Sequence, residues 1–217
     1  TRYSDHAAHA CGLEVVLADG TLLRTGMAVY EGSPAAHTYR WGLGPSLDGL
    51  FTQSNLGIVV QAGVWLMPRP EALTTFSLEI EADTELESAI DRLRTLRLQG
   101  TLTGPVFISN VYRTLAQMGR FPWHVTKGET PLARDVAESL VRRRGQPGMS
   151  GRYNAIGALH GTSRGVAASV RDVGQELGDT GKLTFTSTAD IDRFERRGRM
   201  LARVPRLSRR GRGMIAM

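Results

Sequence analysis

Short apolar runs separated by glycine-containing turns predict β structure in the first third of the chain. Leu13–Ala18 and Thr21–Thr25 flank Asp19-Gly20, a dipeptide that favours a two-residue hairpin turn because glycine adopts positive φ without steric cost. Gly57–Met67 is an apolar run that ends before Pro68, so we predict a third strand there. The segment between the hairpin and this strand is predicted to contain a loop and a short helical turn, Gly26–Tyr39 and Leu47–Phe51.

Helical and strand periodicities alternate from about residue 72 onward. A helix is predicted to begin at Thr84, because Glu87 lies three residues later at the spacing of a capping box. Leu86, Ile90 and Leu93 recur at helical spacing and predict the buried face of this helix. The other predicted helices are Pro131–Arg144, Ser163–Leu177 and Ile191–Leu201, the predicted strands are Thr74–Glu81, Val106–Ile108, Tyr153–His160 and Lys182–Ser187, and the predicted loops are Met118–Lys127 and Gly145–Gly151.

The order of these elements predicts an α+β fold. Strands that alternate with helices after residue 72 favour one sheet covered by helices. The pattern changes after Pro68 and Pro70, and we place a domain boundary there. Residues 1–70 and 71–217 are therefore predicted to form separate domains, and no internal repeat relates them.

The composition is that of a folded globular protein. The sequence is 41% hydrophobic and contains 25 Gly and 9 Pro, which argues against disorder. Its longest nearly apolar run, Ile58–Met67, is about half as long as a membrane span requires, so we predict no contact with a membrane. No charged and then apolar leader follows Thr1, so any targeting segment would lie upstream, and we expect a cytoplasmic or periplasmic location.

Cys11 is the only cysteine, which excludes an intrachain disulfide and a zinc site built from cysteines. His6 and His9 stand three residues apart and close to Cys11, an arrangement that resembles a pair of metal ligands. No further ligand pair of known spacing accompanies them, so packing or loop hydrogen bonds explain these residues better. We therefore predict no metal.

The positive charge of the chain is concentrated near its end. Nine arginines lie between Arg193 and Arg212, with Glu195 as the only acid in that segment. The segment contributes +8 to a net charge of +6, which leaves the remainder at −2. A basic tail can bind phosphates, but no aromatic residue follows Phe194 and no nucleic-acid motif accompanies the arginines. We predict a solvated segment and no nucleic-acid partner.

The block Trp41–Pro68, with the sequence WGLGPSLDGLFTQSNLGIVVQAGVWLMP, is similar to the stretch that ends the flavin-binding domain in the vanillyl-alcohol oxidase / 4-cresol dehydrogenase family. Other segments match that family in the same order, and the match fades after about residue 190. Those before the block are Tyr3–His6, Gly12–Leu17 and Arg24–Met27, and those that resemble its substrate (cap) domain are Val106–Ala116 and Tyr153–Gly161.

The resemblance implies FAD as the cofactor and a specific α+β architecture. Residues 1–70 correspond to the C-terminal part of a PCMH-type FAD-binding domain. Residues 71–217 correspond to part of an α+β substrate domain, in which helices cover an antiparallel sheet. The chain therefore looks like an internal fragment of an FAD-linked oxidase or dehydrogenase, and we expect this piece alone to be inactive.

The same resemblance supplies the candidate cofactor residues. Asp5 is the catalytic candidate, because the family is expected to hold an Asp of the matching stretch near flavin N5, although Ser4 replaces the usual glycine. Glycines let backbone approach a flat ligand closely, and backbone amides can hold ring or phosphate oxygens. The alternatives are an ordinary glycine-rich turn before a core strand, and a helix cap or surface role for Asp5. The predicted cofactor-binding residues are Ser4, Asp5, Cys11, Ser54, Asn55, Gly57, Ile58 and Val59.

The second predicted domain supplies the candidates for substrate binding. Asn110 and Tyr112 could line a pocket together with Arg113. The alternative is at least as good, namely that Tyr112 packs in the interior and Arg113 is solvated.

The family implies oxidation of 4-alkylphenols or 4-hydroxybenzyl alcohols by hydride transfer to flavin N5 through a quinone methide. It implies a phenolic small-molecule substrate, oxygen or a cytochrome as electron acceptor, and a homo-oligomer at full length. A second hypothesis is a non-catalytic interaction module that keeps the fold without the flavin chemistry. Intact folding without bound flavin would favour that second hypothesis.

Overall fold

The structure is a computed structural model that describes residues 6–42, 44–144, 148–190 and 193. The chain divides into two compact units, Thr1–Arg69 and Pro70–Met217. The assignment of 1–70 to an FAD-binding domain and of 71–217 to a substrate domain stays a prediction. The predicted helix Ile191–Leu201 lies outside the described residues except for Arg193. Within the described part, no helix is long and apolar enough to span a membrane.

A three-stranded antiparallel sheet forms the first unit. Its central strand β1 (Ala10–Val16) pairs with β2 (Leu22–Arg24) on one side and with β3 (Ile58–Val64) on the other. The predicted hairpin turn is present, with Gly20 at φ +84° and the Asp19 carboxylate accepting a 2.9 Å hydrogen bond from the Thr21 amide.

The first strand begins and ends earlier than predicted. It was expected over Leu13–Ala18, but it runs over Ala10–Val16 because it already pairs with β3 at Ala10 and enters the turn at Leu17. A register shift between Cys11 and Glu14 interrupts the pairing with β3. Gly12 lies in this shift at φ +59°, a conformation that side chains disfavour.

The second unit contains a four-stranded antiparallel sheet in the order β5-β6-β4-β7. Helices α1 and α5 pack on the sheet around a core that includes Phe76, Leu78, Leu96, Leu159 and Val173. A second cluster of buried side chains joins α2 to α4. The elements are β4 (Ala72–Ile80), α1 (Asp83–Leu98), β5 (Val106–Asn110), α2 (Val111–Met118), α3 (Trp123–Thr126), α4 (Arg134–Arg144), β6 (Tyr153–Gly161), α5 (Ser163–Leu177) and β7 (Lys182–Ser187).

Helix α1 differs from its prediction at its start and in its buried face. It begins at Asp83 after Ala82, which has no side-chain oxygen, so only half of a capping box forms. That half is the hydrogen bond from the Ala82 amide to the Glu85 carboxylate, at 3.2 Å. Ile90 is 43% exposed whereas Ala89 is fully buried, because the helix face that meets the sheet is rotated by about one residue. The predicted loop Met118–Lys127 contains the end of α2 and all of α3.

Glu79 shows how the second unit accommodates a buried carboxylate. The residue is 3% exposed, and one of its oxygens accepts hydrogen bonds from the Ser150 amide at 3.0 Å and the Ser150 hydroxyl at 2.8 Å. Lys182 Nζ lies 3.3 Å from the other oxygen. Burial alone would raise the pKa of Glu79, but these partners outweigh it and the pKa is lowered. The charge is therefore retained because it is fully partnered.

The glycine in the centre of β6 is required for packing against Phe76. A Cβ atom at Gly157 would lie 2.5 Å and 2.6 Å from two carbons of the Phe76 ring. We therefore expect Gly157→Ala to lower the free energy of unfolding by about 1–3 kcal/mol through overpacking. Urea denaturation followed by circular dichroism measures this change. The control is Gly174→Ala in α5, where no atom lies within 4 Å of an added Cβ, and it should raise stability by about 0.5–1 kcal/mol. Equal effects of both substitutions would contradict this packing.

Strand β3 is apolar but exposed. Ile58 is 70% exposed, Val60 58% and Val64 57%, and within the described residues β3 pairs with β1 alone. An apolar edge strand of this kind pairs readily with other chains. We expect the 217-residue chain to self-associate and Val60→Lys to reduce its mean mass in light scattering. Leu98→Lys, at an 81% exposed site outside the sheet, should leave association unchanged. A monomeric wild-type chain that melts cooperatively would contradict this expectation.

Candidate cofactor site

The predicted cofactor residues lie in the first unit, and the structure describes six of them. Ser4 and Asp5 lie outside the described residues. Cys11 is on β1, Ser54, Asn55 and Gly57 are in the loop before β3, and Ile58 and Val59 are the first two residues of that strand.

Strand pairing separates Cys11 from the Gly57–Val59 segment. Cys11 lies opposite Gly63, whereas Val59 lies opposite Val15. At about 3.3 Å per residue, the four steps from Cys11 to Val15 correspond to about 13 Å along the sheet. The six described residues therefore flank the same strand pair, but they do not form one compact cluster.

The loop that enters β3 sits tightly on β1. A Cβ atom at Gly57 would lie 2.5 Å from Val15 Cγ1 and 3.1 Å from the Val16 carbonyl oxygen, so glycine is needed for this close approach. The Ser54 hydroxyl donates to the Leu50 carbonyl and so stabilises the loop itself. The Asn55 side chain is exposed and makes no hydrogen bond within the described part of the chain. Its amide is therefore free to bind a ligand.

An apolar cavity opens beside this loop. It has a volume of about 620 Å³, and its wall includes Leu13, Phe51, Val59 and Trp65. Cavities of roughly 300–1,000 Å³ with mostly apolar walls are typical of sites for small organic ligands and cofactors. Val59 is the predicted cofactor residue in this wall, and the other five described ones lie outside it.

A buried polar group lies under the same sheet at Asp48. This residue begins a short 3₁₀ turn, Asp48–Phe51, that packs on β1, and it is 5% exposed. Neither carboxylate oxygen has a hydrogen-bond partner, and the buried Nε of Arg40 also lacks one. Burial raises the pKa of the Cys11 thiol, the Asp48 charge raises it further, and the Arg40 charge opposes the change. Asp48 and Arg40 therefore both lie within electrostatic range of Cys11.

Asp48 is a functional candidate that no sequence motif indicates. Arg40 is a charged residue at the start of an apolar, glycine-rich stretch, and Asp48 is a charged residue inside it. A charge in such a stretch is either at the surface or partnered in the interior. Which of these holds depends on how the turn packs on β1, so only the structure could place Asp48 in the interior.

These residues fit FAD in part. The cofactor presents a flat apolar ring, hydroxyl and N–H donors, and carbonyl acceptors. The apolar cavity suits a ring, the free amide of Asn55 suits either kind of polar group, and the unpartnered Asp48 carboxylate suits the donors. The described residues of the first unit therefore offer an apolar wall for the ring, whereas the Asp48 carboxylate is covered in the structure and does not line the cavity.

The predicted substrate residues lie in the second unit. Asn110 is the N-cap of α2, where its side-chain oxygen accepts a 3.0 Å hydrogen bond from the Arg113 amide. Tyr112 is 43% exposed. The Asn110 oxygen therefore already stabilises a helix, and Tyr112 is accessible to a ligand. The role of both residues in substrate binding stays a prediction.

No metal site assembles among the residues that the structure describes. No group of three or more His, Cys, Asp and Glu side chains in those residues is close enough to hold a metal ion. His6, His9 and Cys11 therefore do not form such a group.

Comparison with known proteins finds two curated relatives, one of which is named as a flavoprotein subunit. The flavoprotein subunit of 4-cresol dehydrogenase (hydroxylating) from Pseudomonas putida is 33% identical over 97% of this chain and 40% of its own length. A 1'-carboxy-chondrochloren decarboxylase from Chondromyces crocatus is 35% identical over 95% of this chain and 36% of its own length. No protein-family model matches the chain.

A solved structure of a related enzyme is also similar to this chain. The 4-ethylphenol oxidase from Gulosibacter chungangensis, in complex with isoeugenol, superimposes with a TM-score of 0.71 at 28% identity. The match covers 98% of this chain and 38% of that structure. The predicted resemblance and the predicted α+β fold class are therefore confirmed, and the predicted flavin agrees with the name of the first relative. The chain spans about two fifths of the length of the curated relatives it matches.

Reactivity of the single cysteine tests the electrostatics of this region. The raised pKa of Cys11 leaves less thiolate at neutral pH, and the thiolate is the reactive form. We expect iodoacetamide to label folded protein at least about tenfold more slowly than protein in denaturant at the same pH. Because Cys11 is the only cysteine, Cys11→Ser gives the background. Equal labelling rates in folded and unfolded protein would contradict the burial of Cys11.

Proposed function

We propose that this chain is part of an FAD-dependent oxidoreductase that oxidises 4-alkylphenols or 4-hydroxybenzyl alcohols. The observation that carries the proposal is the 33% identity over 97% of the chain with the flavoprotein subunit of a 4-cresol dehydrogenase. The structural match to a 4-ethylphenol oxidase supports the same substrate class. The benzylic carbon of the substituent para to the phenol oxygen is the site of reaction in this proposal.

FAD, when bound, would supply the acceptor for a hydride from that carbon, and loss of the phenol proton as well would leave the substrate as a quinone methide. The protein then has to hold the ring, exclude water and position a base. The apolar wall around Phe51, Val59 and Trp65 excludes water from one side of a bound ring. The amides of Gly57–Val59 and the free side chain of Asn55 provide donors to carbonyl or phosphate oxygens.

Asp5 is the base in this proposal, and its role rests on the sequence resemblance alone. A carboxylate next to an aromatic cofactor is desolvated, which raises its pKa toward the range that a general base needs. Ser4 and Cys11 are also proposed to contact the cofactor, on the sequence resemblance alone. Asn110 and Tyr112 are proposed to bind the phenolic substrate, on the sequence resemblance alone.

The electron acceptor is either oxygen or a cytochrome. The word subunit in the name of the first relative points to assembly with another protein, which favours a cytochrome. The name of the oxidase favours oxygen. We propose a homo-oligomer for the complete protein. The name of the decarboxylase among the relatives favours a second candidate, a reaction on a substrate that bears a carboxylate.

The test uses the protein with all the sequence that its gene encodes. We expect flavin absorption bands in the purified protein and bleaching of those bands by 4-ethylphenol without oxygen. Asp5→Asn should slow this reduction by about 10²–10⁴, the usual contribution of a general base, while the protein still binds flavin. Asp19→Asn, an equivalent substitution in the hairpin turn, should leave the rate unchanged.

Three outcomes would decide between the candidates. Bleaching by 4-ethylphenol supports the proposal, and bleaching only by a substrate that bears a carboxylate supports the second candidate. A folded, colourless protein that binds no added FAD would favour a non-catalytic interaction module and overturn the proposal.

A further inference from the structure

Asp48 is a buried carboxylate that the first unit leaves without a partner. It is 5% exposed, and both of its oxygens lack a hydrogen bond. Removing a charged carboxylate from water costs several kcal/mol unless other groups partner it. Glu79, the buried carboxylate of the second unit, receives two hydrogen bonds from Ser150 and an ion pair from Lys182. Asp48 has none of these contacts, so its burial needs a different explanation.

The surroundings of Asp48 narrow the possible partners. Arg40 is the nearby cation, but its buried Nε is also unpartnered and the two residues form no ion pair. Asp48 lies inside the 41–68 block, five residues before Gln53 and the loop that leads to Gly57. The turn that carries Asp48 packs on β1, as does Gly57. Phe51, the last residue of the same turn, lines the apolar cavity, whereas Asp48 itself does not.

We propose that Asp48 is a flavin-binding residue whose carboxylate accepts hydrogen bonds from the ribityl hydroxyls or the ring N–H of the cofactor. The proposal rests on the proposed function and adds a residue to its site. A carboxylate is an acceptor when ionised, and the polyol chain and the ring N–H are donors. The phosphates of FAD carry negative charge and would be repelled at this position. The contact is thus on the part of the molecule that riboflavin, FMN and FAD share.

Binding requires a small movement of the turn, because both oxygens are covered in the structure. The turn is held by hydrogen bonds from the Leu50 amide to the Leu47 carbonyl at 3.0 Å and from the Thr52 amide to the Gly49 carbonyl at 3.4 Å. Short 3₁₀ turns have weak hydrogen-bond geometry, and no atom lies within 4 Å of an added Cβ at Gly49. Gly49, the residue after Asp48, therefore faces open space, and the proposal requires the turn to shift so that the Asp48 carboxylate is uncovered.

The experiment measures flavin affinity and stability in the same variant. The full-length protein is produced without flavin in a riboflavin-requiring host, and binding of riboflavin, FMN and FAD is followed by quenching of flavin fluorescence. We expect Asp48→Asn to weaken binding of all three by about tenfold or more, because a charge-assisted hydrogen bond is lost. In the flavin-free protein the same substitution should raise the melting temperature, because it removes an unpartnered buried charge.

Asp19→Asn is the matched control in the same unit. Asp19 is exposed and forms its hydrogen bond to Thr21 within the hairpin turn, so this variant should change neither flavin affinity nor the melting temperature. Arg40→Gln tests the other possible partner. If Arg40 and Asp48 are independent in the flavin-free protein, the effects of the two substitutions on stability should add.

Several outcomes would overturn the inference. A lower melting temperature for flavin-free Asp48→Asn, or failure of that variant to fold, would show a protein partner for Asp48. Non-additive effects with Arg40→Gln would identify that partner as Arg40. Unchanged affinity for all three flavins would overturn the inference and leave the proposed function intact, as would a loss confined to FAD. A wild-type protein that binds no flavin would overturn both.

Discussion

Close packing against β1 is the constraint on which the first unit depends. Three glycines make it possible, since a Cβ at Gly12 would lie 2.5 Å from the Ala36 carbonyl oxygen and one at Gly57 would lie 2.5 Å from Val15. A Cβ at Gly63 would collide with the ring of His37. The loop between β2 and β3 can therefore fold back onto the sheet. The cavity and the buried turn of Asp48 both form where this loop returns to β3.

The sequence predicted the regular elements of the second unit well, because local periodicity and burial agree there. Helix α5 and strand β7 have the predicted bounds, Ser163–Leu177 and Lys182–Ser187. Agreement was poorer where a tertiary contact decides the geometry. The start of β1 depends on the bulge at Gly12 and its pairing with β3, and the buried face of α1 depends on the angle at which the helix meets the sheet. Neither follows from spacing along the chain.

The candidate site was only partly predictable for a related reason. The resemblance identified the loop before β3, and the structure gives that loop a physical role, since Gly57 seats it on β1 and Ser54 closes it internally. Asn110, predicted at the substrate, caps α2 through its side-chain oxygen, as a polar side chain at the end of a strand often does for the next helix, and its role in substrate binding stays a prediction. Asp48 was missed because its burial results from packing of the turn and leaves no periodic pattern.

Asp48 and Glu79 show two ways in which a folded chain holds a buried carboxylate. Glu79 is surrounded by partners from its own unit, and its lowered pKa means that it stabilises the fold above the ordinary range for glutamate and loses this effect as the pH falls through the lowered value. Its charge is thus part of the fold. Asp48 does not stabilise the first unit in this way, since both of its oxygens are unpartnered. Unfavourable groups of this kind tend to persist at functional sites, where a ligand or partner provides the missing interaction. Glu79 is therefore a residue that stabilises the fold, whereas the proposal assigns Asp48 to a binding site.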